Sequence, residues 1–361
     1  MGPATLTVSS PGRICLFGEH QDYLGLPVIA AAISRRISIE GTRRSDDRMV
    51  LKLPDIGSEV SFSLGGALPY AEERDYFRSC INVLQKHGHH FSLGYDCTVR
   101  GNIPINAGTS SSSALVVTWI HFLSYVSDYP VALSQEDIGK LAHEAEVLEF
   151  SEPGGMMDHY STALGGLIYL ESHPQMMIAP LEGALGAFVL GNSGENKNTK
   201  GILGRVKAEV SEAAAAARKM YPEFSFHRTM PEQLADLRKR LDKRQYDLLE
   251  ATFVNRTITL EARKILQSSM IDRKKVGSLL NEHQARLRDV LRISTPKIDS
   301  MIEAALKAGA LGAKINGSGG GGCMFAYAPE NTKQVAEAVR VLGDAMTIEI
   351  DRGTYKEPLE N

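Results

Sequence analysis

Apolar residues recur at Leu115, Val116, Trp119, Ile120, Leu123 and Val126, close to the 3.6-residue period of one buried helix face. That spacing predicts a helix over 111–125, opened by a run of small hydroxylated residues. Short β-rich runs broken by Gly, Pro and Asp predict strands over 6–8, 14–17, 28–32, 37–40, 49–53, 60–64 and 95–99. Further helices are expected over 71–86 and 135–150, and strands over 167–170 and 187–190. After about residue 185 charged amphipathic helices take over, at 200–219, 231–241, 246–267, 273–291 and 298–308. The end is mixed, with strands at 314–316, 323–327 and 347–350 and a helix at 332–342. This grammar is α+β, with antiparallel sheet in the first part. A chain of 361 residues exceeds the size at which single cores stop growing, about 250–300 residues, so two domains are expected, 1–185 and 186–361.

At 43% hydrophobic residues the chain can bury a substantial core. Its net charge is −3 with acidic and basic residues interspersed, so it lacks the positive stripe that nucleic acid or an anionic membrane attracts. A small molecule is the expected partner, and a monomer or weak homodimer the expected state. Cys15, Cys80, Cys97 and Cys323 are far apart with no Cys-x-x-Cys pair, which favours free thiols in a reducing compartment and a cytoplasmic location. The start shows no charged-then-apolar signal pattern, and Leu6 departs from the myristoylation motif that would follow Met1-Gly2. No apolar run approaches the roughly 20 residues that cross a bilayer. His87, His89 and His90 flank Gly88 and read as a solvated turn, lacking partners at zinc spacing.

Four segments carry candidate chemistry. Residues 108–114, Gly-Thr-Ser-Ser-Ser-Ser-Ala, open the 111–125 helix, where a serine oxygen can cap first-turn amides. Four serines exceed what a cap needs. Small side chains let a phosphate approach the unpaired amides, the helix dipole favours its charge, and spare hydroxyls can reach a phosphate oxygen or a magnesium ion. A capped Gly/Ser linker has the same composition. Residues 317–322, Gly-Ser-Gly-Gly-Gly-Gly, contain G-x-G-x-x-G, but a strand-like run follows where the dinucleotide fingerprint needs a helix, and the chain has no P-loop motif. Ordering so many glycines costs backbone entropy, which points to close backbone approach, with a loose hairpin as the alternative. Residues 10–25 place Glu19, His20 and Asp22 in a turn after a strand that holds Arg13. That density of hydrogen-bonding groups suits a polyhydroxylated ligand, and also a polar turn with a surface ion pair. Asp158 follows Gly154-Gly155 among apolar neighbours, as a partly desolvated carboxylate for proton acceptance or charge placement, or as an ordinary turn cap.

Taken in this order, the segments resemble the galactokinase, homoserine kinase, mevalonate kinase and phosphomevalonate kinase superfamily, the GHMP kinases. Pro11-Gly12-Arg13 through Tyr23-Leu24-Gly25 is similar to the first motif, in its galactokinase form. Pro104 through Ala114 is similar to the Gly-Ser-Ser motif, and Gly312-Ala313-Lys314 through Gly322-Cys323 to the third. The resemblance implies an N-terminal domain like ribosomal protein S5 domain 2, a C-terminal ferredoxin-like domain, and ATP and substrate in the cleft between them. It implies nucleotide contacts from Gly108, Thr109, Ser110, Ser111, Ser112, Ser113, Gly317, Gly319 and Gly320. Mg2+ would be held by Ser112 and Glu146, with Glu144 and Glu149 as nearby alternatives to the latter. Asp158 matches the catalytic Asp, and Arg13 the basic residue acting with it. Glu19, His20, Asp22, Gly155 and Asp158 match positions that face the sugar in galactokinases.

The implied activity is ATP- and Mg2+-dependent phosphorylation of a monosaccharide, at its anomeric hydroxyl. Two departures separate this chain from typical galactokinases. Cys15 stands where they have Asn, and the stretch Gly191-Asn192-Ser193-Gly194 to Asn198-Thr199-Lys200 resembles the mevalonate-type pattern, not the segment that supplies their sugar-binding tyrosine. A mevalonate-type kinase is therefore the rival enzyme reading, although a mostly apolar substrate gains little from so many polar ligands. A non-catalytic sensor of ATP and sugar with the same fold is the third.

Overall fold

The computed structural model describes residues 5–66, 68–197, 199–229 and 231–358; the Met1-Gly2 start and Asn198 lie outside them. Its strands are β1 (Thr5–Phe17), β2 (Val28–Arg43), β3 (Arg48–Leu53), β4 (Ser58–Ser63), β5 (Tyr95–Gly101), β6 (Leu167–Glu171), β7 (Met177–Leu181), β8 (Phe188–Asn192), β9 (Gly312–Ile315), β10 (Cys323–Tyr327), β11 (Asp344–Ile348) and β12 (Tyr355–Lys356). Its helices are α1 (Tyr76–Lys86), α2 (Ser111–Val126), α3 (Gln135–His143), α4 (Met157–Leu164), α5 (Thr199–Met220), α6 (Pro231–Leu237), α7 (Lys243–Leu266), α8 (Arg273–Ala285), α9 (Pro296–Lys307) and α10 (Thr332–Arg340). The first sheet runs β12-β1-β2-β5-β3-β4, with β6 on β2 and β7 on β6, and only the β3–β5 pairing is parallel. The second sheet is antiparallel, in the order β11-β8-β10-β9. The fold is thus α+β with two sheets, each backed by helices.

Local patterning located most elements and misjudged their extent where tertiary pairing took over. The expected strands 6–8 and 14–17 are one strand, as are 28–32 and 37–40. The interruption is a bulge: Pro11 pairs with Arg36 and Gly12 with Ile33, so Ser34 and Arg35 are extra residues on β2. A bulge tolerates the proline that a regular ladder would not. Helix 71–86 starts only at Tyr76, where Asp75 caps it by accepting from the Arg78 amide. Helix 135–150 gives way to a π turn over Glu144–Leu148. The eight-residue α4 escaped the periodicity reading because it is barely two turns long and follows a Gly-Gly bend.

Helix α2 is buried on more sides than one stripe implies: Val116, Val117, Trp119, Ile120, Phe122 and Leu123 are all at most 1% exposed. It threads between β1 and β2 on one side and α1, α3 and α4 on the others, so nearly every side chain meets protein. A second apolar cluster joins Ile14, Leu16 and Phe17 of β1 to Phe188, Leu190, Phe325 and Tyr327 of the second sheet. Through this shared core side chains of the first sheet pack against those of the second. The chain end returns to the first sheet, where Val8 pairs with Lys356 and Arg36 donates to Asp351 and to the Gly353 carbonyl.

Candidate active site

The hydroxyl-rich loop lies directly on β1. A Cβ at Gly12 would come within 2.8 Å of the Thr109 carbonyl, and this absence of a side chain lets the Arg13 amide donate to that same oxygen at 3.2 Å. Gly108 (φ 83°) and Ser110 (φ 59°) are left-handed, which curls the loop so that the amides opening α2 converge on one space. Ser110 precedes the helix but makes no capping bond; its hydroxyl is buried and unpaired. A buried unpaired hydroxyl costs about 1–3 kcal/mol, so capping does not explain these serines. At Gly108 a Cβ would meet the Lys197 Nζ at 2.6 Å and the Asn316 carbonyl at 2.7 Å. Gly108→Ala is expected to weaken nucleotide binding by at least about tenfold, roughly 1.4 kcal/mol, in a titration with ADP; unchanged affinity would show that the loop does not hold phosphates.

Arg13, on β1 and 4% exposed, forms a two-bond pair with Asp158 in the first turn of α4: Nε and Nη2 each donate to a carboxylate oxygen at 2.8 Å. Its Nη1 donates to the Gly108 carbonyl at 2.6 Å, tying the pair to the phosphate-type loop. Burial by itself would push the Asp158 carboxyl up, but the adjacent guanidinium overrides it and holds the group below the ordinary carboxylate range. Asp158 is therefore ionised at neutral pH.

The turn after β1 supplies the next wall. Asp22 accepts from the Tyr23 amide at 2.9 Å and the Met157 amide at 3.4 Å. Burial, and then the charge of Asp158, push its carboxyl up to about 6. Gly155 makes this seat possible, since a Cβ there would fall 2.0 Å from Asp22 Oδ2. Glu19 and His20 line the same space with protein partners already in place. Glu19 pairs with the buried Lys314 and accepts from the Gly317 amide at 3.1 Å. His20 Nε2 bonds the Ser318 carbonyl at 3.0 Å, so it carries the proton, and Nδ1 accepts from the Tyr23 hydroxyl at 3.1 Å. Burial lowers its pKa to about 4, which makes it neutral.

Glu146 projects from the π turn, a device often found at functional sites. Burial acts to raise its carboxyl, yet the bond to His159 and the nearby Ser112 and Ser113 hydroxyls bring it below the ordinary value. It thus stays ionised beside the start of α2.

Arg13, Glu19, His20, Asp22, Gly108, Ser110, Ser111, Ser112, Ser113, Glu146, Gly155, Asp158 and Gly317 all line one cavity of about 270 Å³. Thr109, Gly319 and Gly320 do not. Thr109 is fully buried, with its hydroxyl on the Pro104 carbonyl; Gly319 packs on Ile293, and Gly320 donates its amide to the Ile293 carbonyl. Their part in the site is backbone packing behind the cavity wall.

Three contributors escaped the sequence reading. Lys197, also in the cavity, has a buried Nζ with no hydrogen-bond partner among the described residues; burial, then the charge of Arg13, lower its pKa to about 8. Asn316 accepts from the Cys15 amide at 2.9 Å and donates to the Gly108 carbonyl at 2.9 Å, binding all three glycine-rich segments together. His159 donates to Glu146. The only available signals were that Lys197 sits in the mevalonate-like stretch, Asn316 opens the glycine run, and His159 adjoins Asp158. The Ser110 hydroxyl and Lys197 ammonium, without partners among the described residues, and the ionised Glu146 fit a magnesium-bound triphosphate, whose metal Ser112 and Glu146, lining the same cavity, would hold. Among the described residues no group of three His, Cys, Asp or Glu is placed to hold a metal ion. The four cysteines are buried and free, and no described helix is long and apolar enough to cross a membrane.

The chain is similar to known proteins along most of its length. Residues 75–166 match the GHMP kinases N terminal domain, 262–345 the GHMP kinases C terminal model, and 2–43 the galactokinase galactose-binding signature. The chain is 32% identical to mevalonate kinase of Pyrococcus furiosus, over 96% of this chain and 97% of that one. It is 26% identical to galactokinase of Actinobacillus succinogenes, over 93% and 88%. Among solved structures, Lactococcus lactis galactokinase complexed with galactose superposes with a TM-score of 0.84 at 24% identity, over 98% of this chain and 95% of that one. Methanococcus jannaschii mevalonate kinase superposes with a TM-score of 0.74 at 18% identity, over 97% and 99%.

Proposed function

Because this chain belongs to the GHMP kinase family, we propose that it transfers the γ-phosphate of ATP to a hydroxyl of a neutral monosaccharide, the anomeric 1-OH being the acceptor. The observation that carries this reading is the charge of the acceptor side of the cavity. Asp22 and Asp158 both face it, and among the described lining residues each cation but one is committed: Arg13 to Asp158 and Arg74 to Glu152. The exception, Lys197, lies against Gly108 at the phosphate-type loop. A carboxylate-bearing acceptor such as mevalonate would meet two like charges there and, among the described lining residues, no uncommitted cation on its own side, a costly arrangement in a desolvated site. A sugar instead offers separate hydroxyls, one to donate to each carboxylate.

The chemistry follows from this placement. Asp158 orients the acceptor hydroxyl, its oxygen bonds to the γ-phosphorus as the bond to the bridging oxygen of ADP breaks, and the proton passes to Asp158. A loose transition state leaves the hydroxyl proton in place until late, so a carboxylate held ionised serves as acceptor without being a strong base. Arg13 balances the charge on Asp158, and Lys197 adds positive charge beside the loop. Bound Mg2+ would supply charge neutralisation between the phosphates. Asp22, seated on Gly155, takes sugar hydroxyls, while Glu19 and His20, with their own protein partners, hold the turn in shape.

A mevalonate-type kinase is favoured by two specific observations, the 32% identity to the Pyrococcus enzyme and the 191–200 pattern. A coupled ADP-release assay over a monosaccharide panel and (R)-mevalonate separates the readings, with phosphate position read by NMR. Sugar-dependent turnover without mevalonate turnover is expected. Mevalonate turnover alone overturns the proposal, and sugar binding without turnover supports the sensor. The raised pKa of Asp22 adds a pH signature: its ionised form accepts sugar hydroxyls, so KM for sugar should rise as pH falls below about 6. Asp22→Asn should flatten that dependence; a flat wild-type profile across the same range would remove Asp22 from the sugar site.

A further inference from the structure

Glu146 lies in the π turn that ends α3, and its Oε2 accepts from His159 Nε2 at 2.7 Å. Both side chains are buried, at 10% and 2% exposure, so the bond is shielded from water. The contact joins one carboxylate oxygen to the one ring nitrogen that reaches it, so the ring fixes the orientation of that carboxylate. The other ring nitrogen, Nδ1, is buried with no hydrogen-bond partner, and the ring meets His143 edge-on at 5.3 Å. The bond to Glu146 is thus the one polar contact the ring makes among the described residues. His159 directly follows Asp158 in α4. One residue of that turn pairs with Arg13, and the next holds Glu146.

We infer that His159 is a positioning residue for the divalent cation: it engages one oxygen of Glu146 and leaves the other to a metal bound with the nucleotide. This rests on the kinase reading above and deepens it. A carboxylate held by one oxygen acts as a single-oxygen ligand, which suits Mg2+, with its few carboxylate contacts and retained phosphate and water ligands. Partners that orient a metal ligand commonly account for about 10- to 100-fold in metal affinity. The Glu146–His159 bond is such a partner, provided by a residue that sequence motifs did not single out.

The test compares His159→Leu, which fills the space without a donor, with His159→Gln, which keeps one. The probe is Mn2+, whose binding to the protein–ADP complex is followed by electron paramagnetic resonance, with ADP affinity in EDTA and sugar KM measured alongside. His159→Leu should weaken Mn2+ binding by about 10- to 100-fold, and His159→Gln by no more than roughly threefold, with metal-free ADP affinity and sugar KM unmoved. Mn2+ affinity within roughly threefold of wild type in a folded His159→Leu protein overturns the inference. So does an equal loss in both variants, or a parallel change in sugar KM, since either marks packing alone. If the leucine variant does not fold, His159→Asn, whose amide is too short to reach Glu146, takes its place. Wild-type protein that binds no Mn2+ with ADP would sink the kinase reading itself, whereas intact wild-type binding with unaffected variants sinks only the role of His159.

Discussion

Asp158→Asn is expected to lower kcat by about 10²- to 10⁴-fold while leaving ATP binding nearly unchanged, the range in which positioned proton acceptors contribute. In the proposed mechanism this carboxylate takes the acceptor proton, which an amide cannot do. In the proposed reading ATP would be held by other parts: the left-handed curl at Gly108 and Ser110, the amides opening α2, and Lys197. The substitution also removes the charge that balances Arg13. Removing one partner of a buried ion pair costs about 3–5 kcal/mol, but the Asp158 side chain is 28% exposed, so solvent discounts that penalty. Thermal unfolding measured beside steady-state kinetics separates the two effects. A folded Asp158→Asn protein with kcat within about tenfold of wild type would show that this carboxylate does not take the proton.

The second large effect is on stability. Lys314→Met should destabilise the fold by about 3–5 kcal/mol, because it strands the Glu19 carboxylate in the interior. Lys314 is 0% exposed and Glu19 2%, and the ammonium also donates to the carbonyls of Cys15 at 3.0 Å and Ile315 at 2.9 Å. These bonds join the first strand to the strand before the glycine run, so the cost falls on the joint between the two sheets. At about 2–4 °C per kcal/mol for chains of about 150–250 residues, and less for longer ones, Tm should drop by at most roughly 20 °C. The double variant Glu19→Gln with Lys314→Met should recover at least half of the loss, because Gln keeps an acceptor for the Gly317 amide without a charge. A single variant costing under about 1 kcal/mol would overturn this account, as would a double variant less stable than the single.

The fold was legible wherever a segment's own pattern decided its state. The apolar period of α2 located it to within a residue at either end, and the strand directly after the glycine run, 323–327, was expected in place, whereas the next one begins three residues earlier than expected and the short β12 was not foreseen. Failures came where partners decided. Pro11-Gly12 reads locally as a break, but an edge-to-edge ladder with β2 carries the strand across it by a bulge. Helix α4 is too short for its period to register, yet it is held by packing on α2 and α3.

The chain's own order of residues determined which chemical groups are available and how each segment begins. The serine run sits at a helix start, three segments are rich in glycine, and Arg13, Asp22, Glu146 and Asp158 stand at recognisable spacings. Such signals are local, because helix and turn preferences depend on neighbours a few residues away. Only the tertiary structure decided which groups pair and which stay available. It set Arg13 on Asp158, 145 residues away, and Lys314 on Glu19, 295 away, and it left Lys197 unpaired. Charge states follow from burial and from partners distant in the chain. That is why Asp22 and Asp158, two carboxylates alike on paper, are pushed in opposite directions within one cavity.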